Sequence, residues 1–278
     1  MRPELFISSI LLSLIPLPLL AWKWRVSIRT AVFGGIIIGV LTGFIVSWVD
    51  SAYTGLNMAF LVVIELALIL ILAAIAIMTR FYRDPERYPG ETENVILSPA
   101  DGKVVYVNNV EKGSSLVSTK GKKKYSLDEI TSTDLFADAT CLVGIDMNIL
   151  NVHVNRSPIG GKIVLCKRTK GKFISLRRQE SEIVNERVTT VISNGKLRVG
   201  VVQISSRLVR KIVSYIKEGD SLDIGHRLGA IVFGSQVDVV IPELKKLRIE
   251  VKPGDEVKAG VSVIARFDLG KSMEGKVL

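Results

Sequence analysis

Histidine and cysteine each occur only twice in the 278 residues, and aromatic residues make up only 6% of them. Cys141 and Cys166 sit in apolar, strand-like runs with no metal-ligand spacing, which argues against a cysteine-based metal site and a disulfide framework; both read as buried free thiols, and no metal is expected. The scarce aromatics are not interleaved with the basic residues, so the stacking platforms that single-stranded nucleic acid needs are missing, and no nucleic-acid partner is expected. The first apolar run also reads as a poor signal peptide. It has a thinly charged start and is followed by Trp22-Lys23-Trp24 in place of a small-residue cleavage site.

Apolar residues, in contrast, are abundant at 48%, and they concentrate in the first eighty positions. Three runs stand out. Leu5 to Trp22 contains Pro16 and Pro18, which makes it short and kinked, a weak candidate for a membrane span. Ala31 to Val49 is uncharged and long enough to cross, and its Gly35, Gly39 and Gly43 share one helix face, which permits close packing against a neighbouring helix. Met58 to Met78 is the strongest span. Its one acid, Glu65, reads as a protonated carboxyl facing another helix, with a functional role as the alternative. Lys23, Arg25 and Arg29 precede the second run, Asp50 alone follows it, and Arg80, Arg83 and Arg87 follow the third. The positive-inside rule then puts everything after residue 80 in the cytoplasm. Residues 1–80 are thus expected to be a membrane anchor of two or three transmembrane helices, and 81–278 a soluble domain.

The formal net charge of +10 favours an anionic partner such as a membrane surface or an acidic substrate. Part of it lies in a polar stretch, 111–135, where Lys120, Lys122, Lys123 and Lys124 suggest either a solvated loop or one resting on anionic lipid. Phe81 to Gly90 reads as a charged, proline-containing exit from the membrane. Beyond it, short β-branched runs separated by turn residues predict strands at Lys103–Val107, Thr140–Ile145, Lys162–Cys166, Val188–Ser193, Leu197–Ile204, Ala230–Ile241, Leu247–Val251 and Val261–Phe267. One helix is expected, Ser206 to Lys217, from the spacing of Leu208, Val209, Ile212, Val213 and Ile216. The fold class is therefore α+β, with a predominantly β cytoplasmic domain preceded by transmembrane helices.

Gly234-Ser235 interrupts the long run Ala230–Ile241, and a glycine there marks a bulge or a close backbone approach. Phe-Gly-Ser followed by Val-Asp near the C-terminus resembles the self-cleavage site of the phosphatidylserine decarboxylase family. Leu97-Ser98-Pro99-Ala100-Asp101-Gly102 is similar to that family's aspartate element. Asn151-Val152-His153-Val154-Asn155-Arg156-Ser157-Pro158 resembles its histidine element, and Asn185-Glu186-Arg187-Val188 and Gln203 to Ile212 resemble two further segments. The five occur in the family's order, and the match is to its short, membrane-anchored form, which includes archaeal relatives acting on archaetidylserine. Three positions depart from the pattern. Leu150 stands where longer members have a second histidine, Gln236 where Arg or Thr is usual, and Val232 where Arg is common.

The resemblance implies a pyruvoyl-dependent decarboxylase with a barrel-sandwich-like core. The Gly234–Ser235 bond would be broken, giving chains 1–234 and 235–278 that stay associated, and Ser235 would become the covalent pyruvoyl cofactor. Asp101, His153 and Ser235 would be the catalytic residues. His153, oriented by Asp101, would activate the Ser235 hydroxyl for attack on the Gly234 carbonyl, in the manner of a Ser-His-Asp triad. The cofactor would form a Schiff base with the amine of a serine phospholipid and accept the electrons released with CO2. Two other readings are weighed against this one. Val251 to Gly260 resembles the hairpins of lipoyl and biotinyl carriers, but no Met-Lys pair is present, so only shared architecture is expected. A membrane-anchored serine hydrolase using Ser235, His153 and Asp101 would keep an intact serine. His226, nine positions before Ser235, is expected to have a turn or surface role.

Overall fold

The computed structural model describes residues 2–24, 26–53, 55–109, 116–118, 124–136, 139–171, 185–205, 211–232 and 235–268. It divides into two compact units, residues 1–83 with 148–150, and residues 84–147 with 151–278.

The first unit holds four helices: α1 (Pro3–Ser13), α2 (Pro16–Lys23), α3 (Ile28–Ala52) and α4 (Met58–Phe81). The kink expected at Pro16 is real. Helix α1 stops at Ser13 and α2 restarts with Pro16 in its first turn, where a missing N–H costs nothing. Taken together, α1 and α2 still form one of three helical stretches long and apolar enough to cross a membrane, beside α3 and α4. Their outward residues are large and apolar, among them Ile7, Leu11, Leu19, Phe33, Ile36, Phe44, Leu70 and Ile71, as a lipid-facing surface requires. The glycine face of α3 meets α1 as the spacing suggests: a β-carbon on Gly39 would lie 2.7 Å from Ile10 Cα, and one on Gly43 would lie 2.9 Å from the Phe6 ring. Glu65 is fully buried and faces α1, where Ser8 and Ser9 donate hydroxyl hydrogen bonds to it at 2.8 and 2.9 Å. Arg2 at the start of α1 pairs with Asp50 near the end of α3 at 3.2 Å, so these two ends share one side of the bundle.

The second unit is built from strands: β1 (Val95–Leu97), β2 (Gly102–Asn109), β3 (Leu116–Ser118), β4 (Lys124–Ser126), β5 (Ala139–Met147), β6 (Val154–Arg156), β7 (Gly161–Thr169), β8 (Arg187–Ser193), β9 (Arg198–Ile204), β10 (Lys211–Ser214), β11 (Ser221–Leu222), β12 (Arg227–Val232), β13 (Ser235–Pro242), β14 (Arg248–Ile249), β15 (Glu256–Val257) and β16 (Val263–Arg266). One short helix, α5 (Leu127–Thr131), joins them. An eight-stranded sheet runs in the order β11-β7-β8-β9-β13-β5-β2-β15. Two three-stranded sheets, β1-β16-β14 and β10-β12-β6, and the β3-β4 hairpin complete the unit. Both faces of the large sheet are buried. Val143, Ile145, Val199, Val201, Val237, Val239 and Ile241 pack on one face, and Leu142, Val202, Ile204 and Val240 pack with Leu127, Ile130 and Phe136 on the other. That double burial is why even Gln236 and Asp238 of β13, which alternate with Val237 and Val239, are inaccessible to solvent.

Three expectations need correction. The helix expected over Ser206–Lys217 is not there in the part that is described: Lys211–Ser214 is strand β10, paired antiparallel with β12 from Lys211↔Val232 to Ser214↔Gly229, and 206–210 lie outside the described residues. Ile212-Val213-Ser214-Tyr215-Ile216 satisfies a period of two as well as a helical one, and β-branched residues offered a partner strand settle into the sheet. The single strand expected over Ala230–Ile241 is two, β12 and β13, in different sheets. The stretch 111–135, read as loop, contains β3, β4 and α5; Lys124 lies in β4, whereas Lys120, Lys122 and Lys123 lie outside the described residues.

The two thiols differ more than expected. Cys141 is buried, and burial pushes its thiol up to about 11, whereas Cys166 is half-buried with its Sγ 3.7 Å from Ser214 Oγ. A shift of that size from the ordinary thiol range cuts the thiolate fraction on the order of a hundredfold. Iodoacetamide at pH 8.5 is therefore expected to alkylate Cys166 in the native protein while sparing Cys141, with the two equalised in urea. Equal native labelling, read by peptide mass, would contradict the burial.

Candidate active site

Strand register brings the sequence-predicted residues to one end of the large sheet. On β5, Asp146 pairs with Lys103 of β2 on one side and Gln236 of β13 on the other, and Met147 pairs with Ser235. Strands β2 and β13 both run antiparallel to β5, so Asp101, two residues before Lys103, and Ser235, one before Gln236, emerge at the same end. With neighbouring strands about 4.8 Å apart, their backbones are separated by roughly 10 Å there. The turn into β2 demands glycine: a β-carbon on Gly102 would sit 2.3 Å from the Asp146 carbonyl oxygen.

His153 arrives from the other side. It immediately precedes β6, which pairs with β12, and its carbonyl accepts the Ile231 N–H at 3.1 Å. The chain therefore reaches 233–234 from a strand held against the histidine segment and leaves it in a strand held against β5. The ring of His153 is 2% exposed, and Nδ1 lies 2.9 Å from the Asn151 carbonyl. A carbonyl only accepts, so Nδ1 carries the proton and Nε2 is left as the basic nitrogen.

Asp101 is 6% exposed, but its partners are not those of a triad aspartate. Its two oxygens receive both terminal nitrogens of Arg87, the second at 2.9 Å. Oδ1 also accepts the Ala259 N–H at 2.8 Å, and Oδ2 the Val152 N–H at 3.4 Å. The histidine ring is oriented by the Asn151 carbonyl, and Asp101 reaches the histidine segment through the main chain of Val152. The carrier-like hairpin at Val251–Gly260 finds its use here, because it delivers the Ala259 N–H to the carboxylate, and the Ala259 carbonyl accepts from Arg87 Nη1 at 2.9 Å.

Arg87 was legible only as a juxtamembrane positive charge. The same segment supplies Asp84, which pairs with Arg156 at 3.1 Å and Arg227 at 2.5 Å, and Glu86, which pairs with Arg227 at 2.6 Å. Arg156, buried within the histidine element, also donates to the Gly225 carbonyl at 3.1 Å and the Pro85 carbonyl at 3.0 Å; burial is the main cause lowering its pKa. Beside this end of the sheet lies a buried polar layer that sequence reasoning missed. Gln203 donates to Asn155 at 2.8 Å, and the Gln236 amide donates to Tyr106 Oη at 2.9 Å and to Asp238 at 2.7 Å. The polar letters at 236 and 238, set in an apolar strand buried on both sides, are the signal that was available. His226 is exposed in the turn from Asp223, its N–H bonded to the Asp223 carbonyl at 3.1 Å, as expected.

A buried histidine, a buried aspartate and a serine at the head of β13 thus share one unit, preceded in the chain by helices long and apolar enough to cross a membrane. The family model for phosphatidylserine decarboxylase matches residues 74–265, and the chain belongs to that family, the carboxy-lyases that its name describes. It is 41% identical over 185 residues to a protein of Methanocaldococcus jannaschii named archaetidylserine decarboxylase proenzyme, covering 66% of this chain and 87% of that one. A protein of Methanothermobacter thermautotrophicus with the same name is 36% identical over 207 residues, covering 73% and 86%.

Proposed function

We propose that this chain cleaves itself between Gly234 and Ser235, converts Ser235 to a pyruvoyl group, and decarboxylates a serine phospholipid, phosphatidylserine or archaetidylserine, to the ethanolamine lipid. The observation that carries this reading is that β12, bonded to His153 through Ile231, ends at Val232 and β13 begins at Ser235, which opposes Met147. The residues present suit such a group. Position 235 pairs with Met147 of β5, and from Gln236 on the strand is paired with β9 as well, so a cap on a new N-terminus there would head a strand held on both sides.

His153 Nε2 takes the hydroxyl proton as Ser235 Oγ attacks the Gly234 carbonyl, turning the amide into an ester. Elimination releases the Gly234 carboxylate and leaves dehydroalanine, which water converts to a ketone with loss of ammonia. Asp101 holds the Val152 and Ala259 amides and the Arg87 guanidinium, fixing the histidine segment while this occurs. The pyruvoyl group then supplies an electron sink for the electrons released with CO2. The cleaved pieces stay together because the short one is woven in: β13 lies inside the large sheet, β15 pairs with β2, and β16 with β1. The charges flanking the helices favour a cytoplasmic catalytic domain, with membrane and lipid as partners.

The test is the intact mass and activity of the purified protein. A 44-residue chain, 235–278, with an N-terminus closed to Edman degradation, and CO2 release from serine phospholipid are expected. An active protein that remains one chain with a free Ser235 would replace this reading with the serine hydrolase.

A further inference from the structure

The first unit contains an apolar groove of about 550 Å³, its open mouth included, lined by Leu20 of α2, Trp24 just past its end, Gly34 and Ile38 of α3, Ile77 of α4, and Leu150. Leu150 is not part of a membrane helix. It belongs to residues 148–150, which pack with the anchor rather than with the β unit in which their neighbours lie. The groove thus has a wall made by the loop that leads, three residues later, to His153. Arg83, just past α4, fixes that wall by donating to the Leu150 carbonyl at 2.9 Å.

The groove sits toward the end of the bundle bearing Lys23, Arg29, Arg80 and Arg83, the residues that flank α2, α3 and α4 there. Apolar walls beside clustered cations fit an amphiphile with a hydrocarbon chain and an anionic head. Its lining is almost wholly apolar, which favours a hydrocarbon occupant over a polar one. Gly34 keeps it open, since a β-carbon built there would meet nothing within 4 Å.

We infer that this groove holds one hydrocarbon chain of the serine lipid substrate, so that the anchor selects the lipid as well as tethering the enzyme. This rests on the decarboxylase reading above. The test uses the full chain in detergent and a serine phospholipid carrying a diazirine midway along one chain. Photolabel is expected in peptides spanning 17–38 and 73–77 and is competed by unlabelled serine lipid. Label confined to other segments, or equal labelling by a choline lipid that serine lipid does not displace, overturns the inference. Gly34→Leu, which fills the space, is expected to raise KM for long-chain serine lipid about tenfold or more, since displacing two buried methylenes has that effect, and to leave 235–278 released in full. Val63→Leu, at an exposed position of α4 outside the groove, is the control and keeps the wild-type KM. An unchanged KM in a matured Gly34→Leu protein would sink the groove and leave the decarboxylase intact. Failure of the wild-type chain to mature or release CO2 would sink the decarboxylase instead. The photolabel is read on wild-type protein, so it stands whether or not the variant folds.

Discussion

Ser235→Ala should yield a single 278-residue chain with no 44-residue product and no detectable decarboxylation. The methyl side chain has no oxygen to attack the Gly234 carbonyl and no leaving group from which a ketone can form, so neither slow maturation nor residual turnover is expected. Stability should change little, because β13 keeps its ladders to β5 and β9 through main-chain groups that alanine retains. Denaturing gel mobility, mass and CO2 release check this on one preparation. A processed Ser235→Ala protein would mean that scission uses another residue. Ser235→Cys is the informative companion: a thiol is a competent nucleophile, so partial scission is expected from it.

The second large effect separates two roles that a triad analogy would merge. His153→Ala removes the proposed acceptor of the serine proton, and maturation should fall by at least about a hundredfold, the usual scale for a lost general base. Asp101→Ala should be nearly as severe for maturation but for a different reason, and it should carry a stability loss that His153→Ala does not match. It leaves Arg87, whose side chain is 11% exposed, without its carboxylate, and deprives the Val152 and Ala259 amides of their acceptor. Breaking a buried pair from one side costs about 3–5 kcal/mol. Arg87→Ala should reproduce much of that loss, and the double variant Arg87→Ala with Asp101→Ala should cost less than the two singles added. Thermal melts alongside time courses of fragment release make the comparison. An Asp101→Ala protein as stable as wild type but unprocessed would return the aspartate to direct contact with the imidazole.

Asp101, His153 and Ser235 could be singled out in the sequence because each sits in a contiguous segment that resembles a family element. The groups that hold them were not, because they come from far along the chain. Arg87 and Ala259 meet on Asp101 across 172 positions, and no local pattern marks that meeting. Asp84 and Arg87 had a competing and sufficient meaning as charges beside a membrane helix, so their second use stayed hidden. The strands were legible because turn residues bracket β-branched runs. The error at Lys211–Ser214 came from a segment whose apolar residues fit either period, where only the presence of β12 as a partner decides. Ala230–Ile241 looked continuous because each half is apolar for its own reason. The change of sheet at 233–234 leaves no compositional trace apart from one glycine.

The position of β13 has a consequence for the life history of the protein. Before scission, that strand finds its slot between β5 and β9 as part of the same polymer, and the encounter is a unimolecular search at high effective concentration. On the proposed self-cleavage the connection would be gone, and the bond could not be remade, since the residue that formed it would no longer have an amine. A matured molecule that unfolds would then release two polymers that must meet again by diffusion. Recovery on removal of denaturant should in that case depend on protein concentration in wild type and not in Ser235→Ala. An enzyme made in this way would persist through the slowness of its unfolding, as a one-way product of its own assembly.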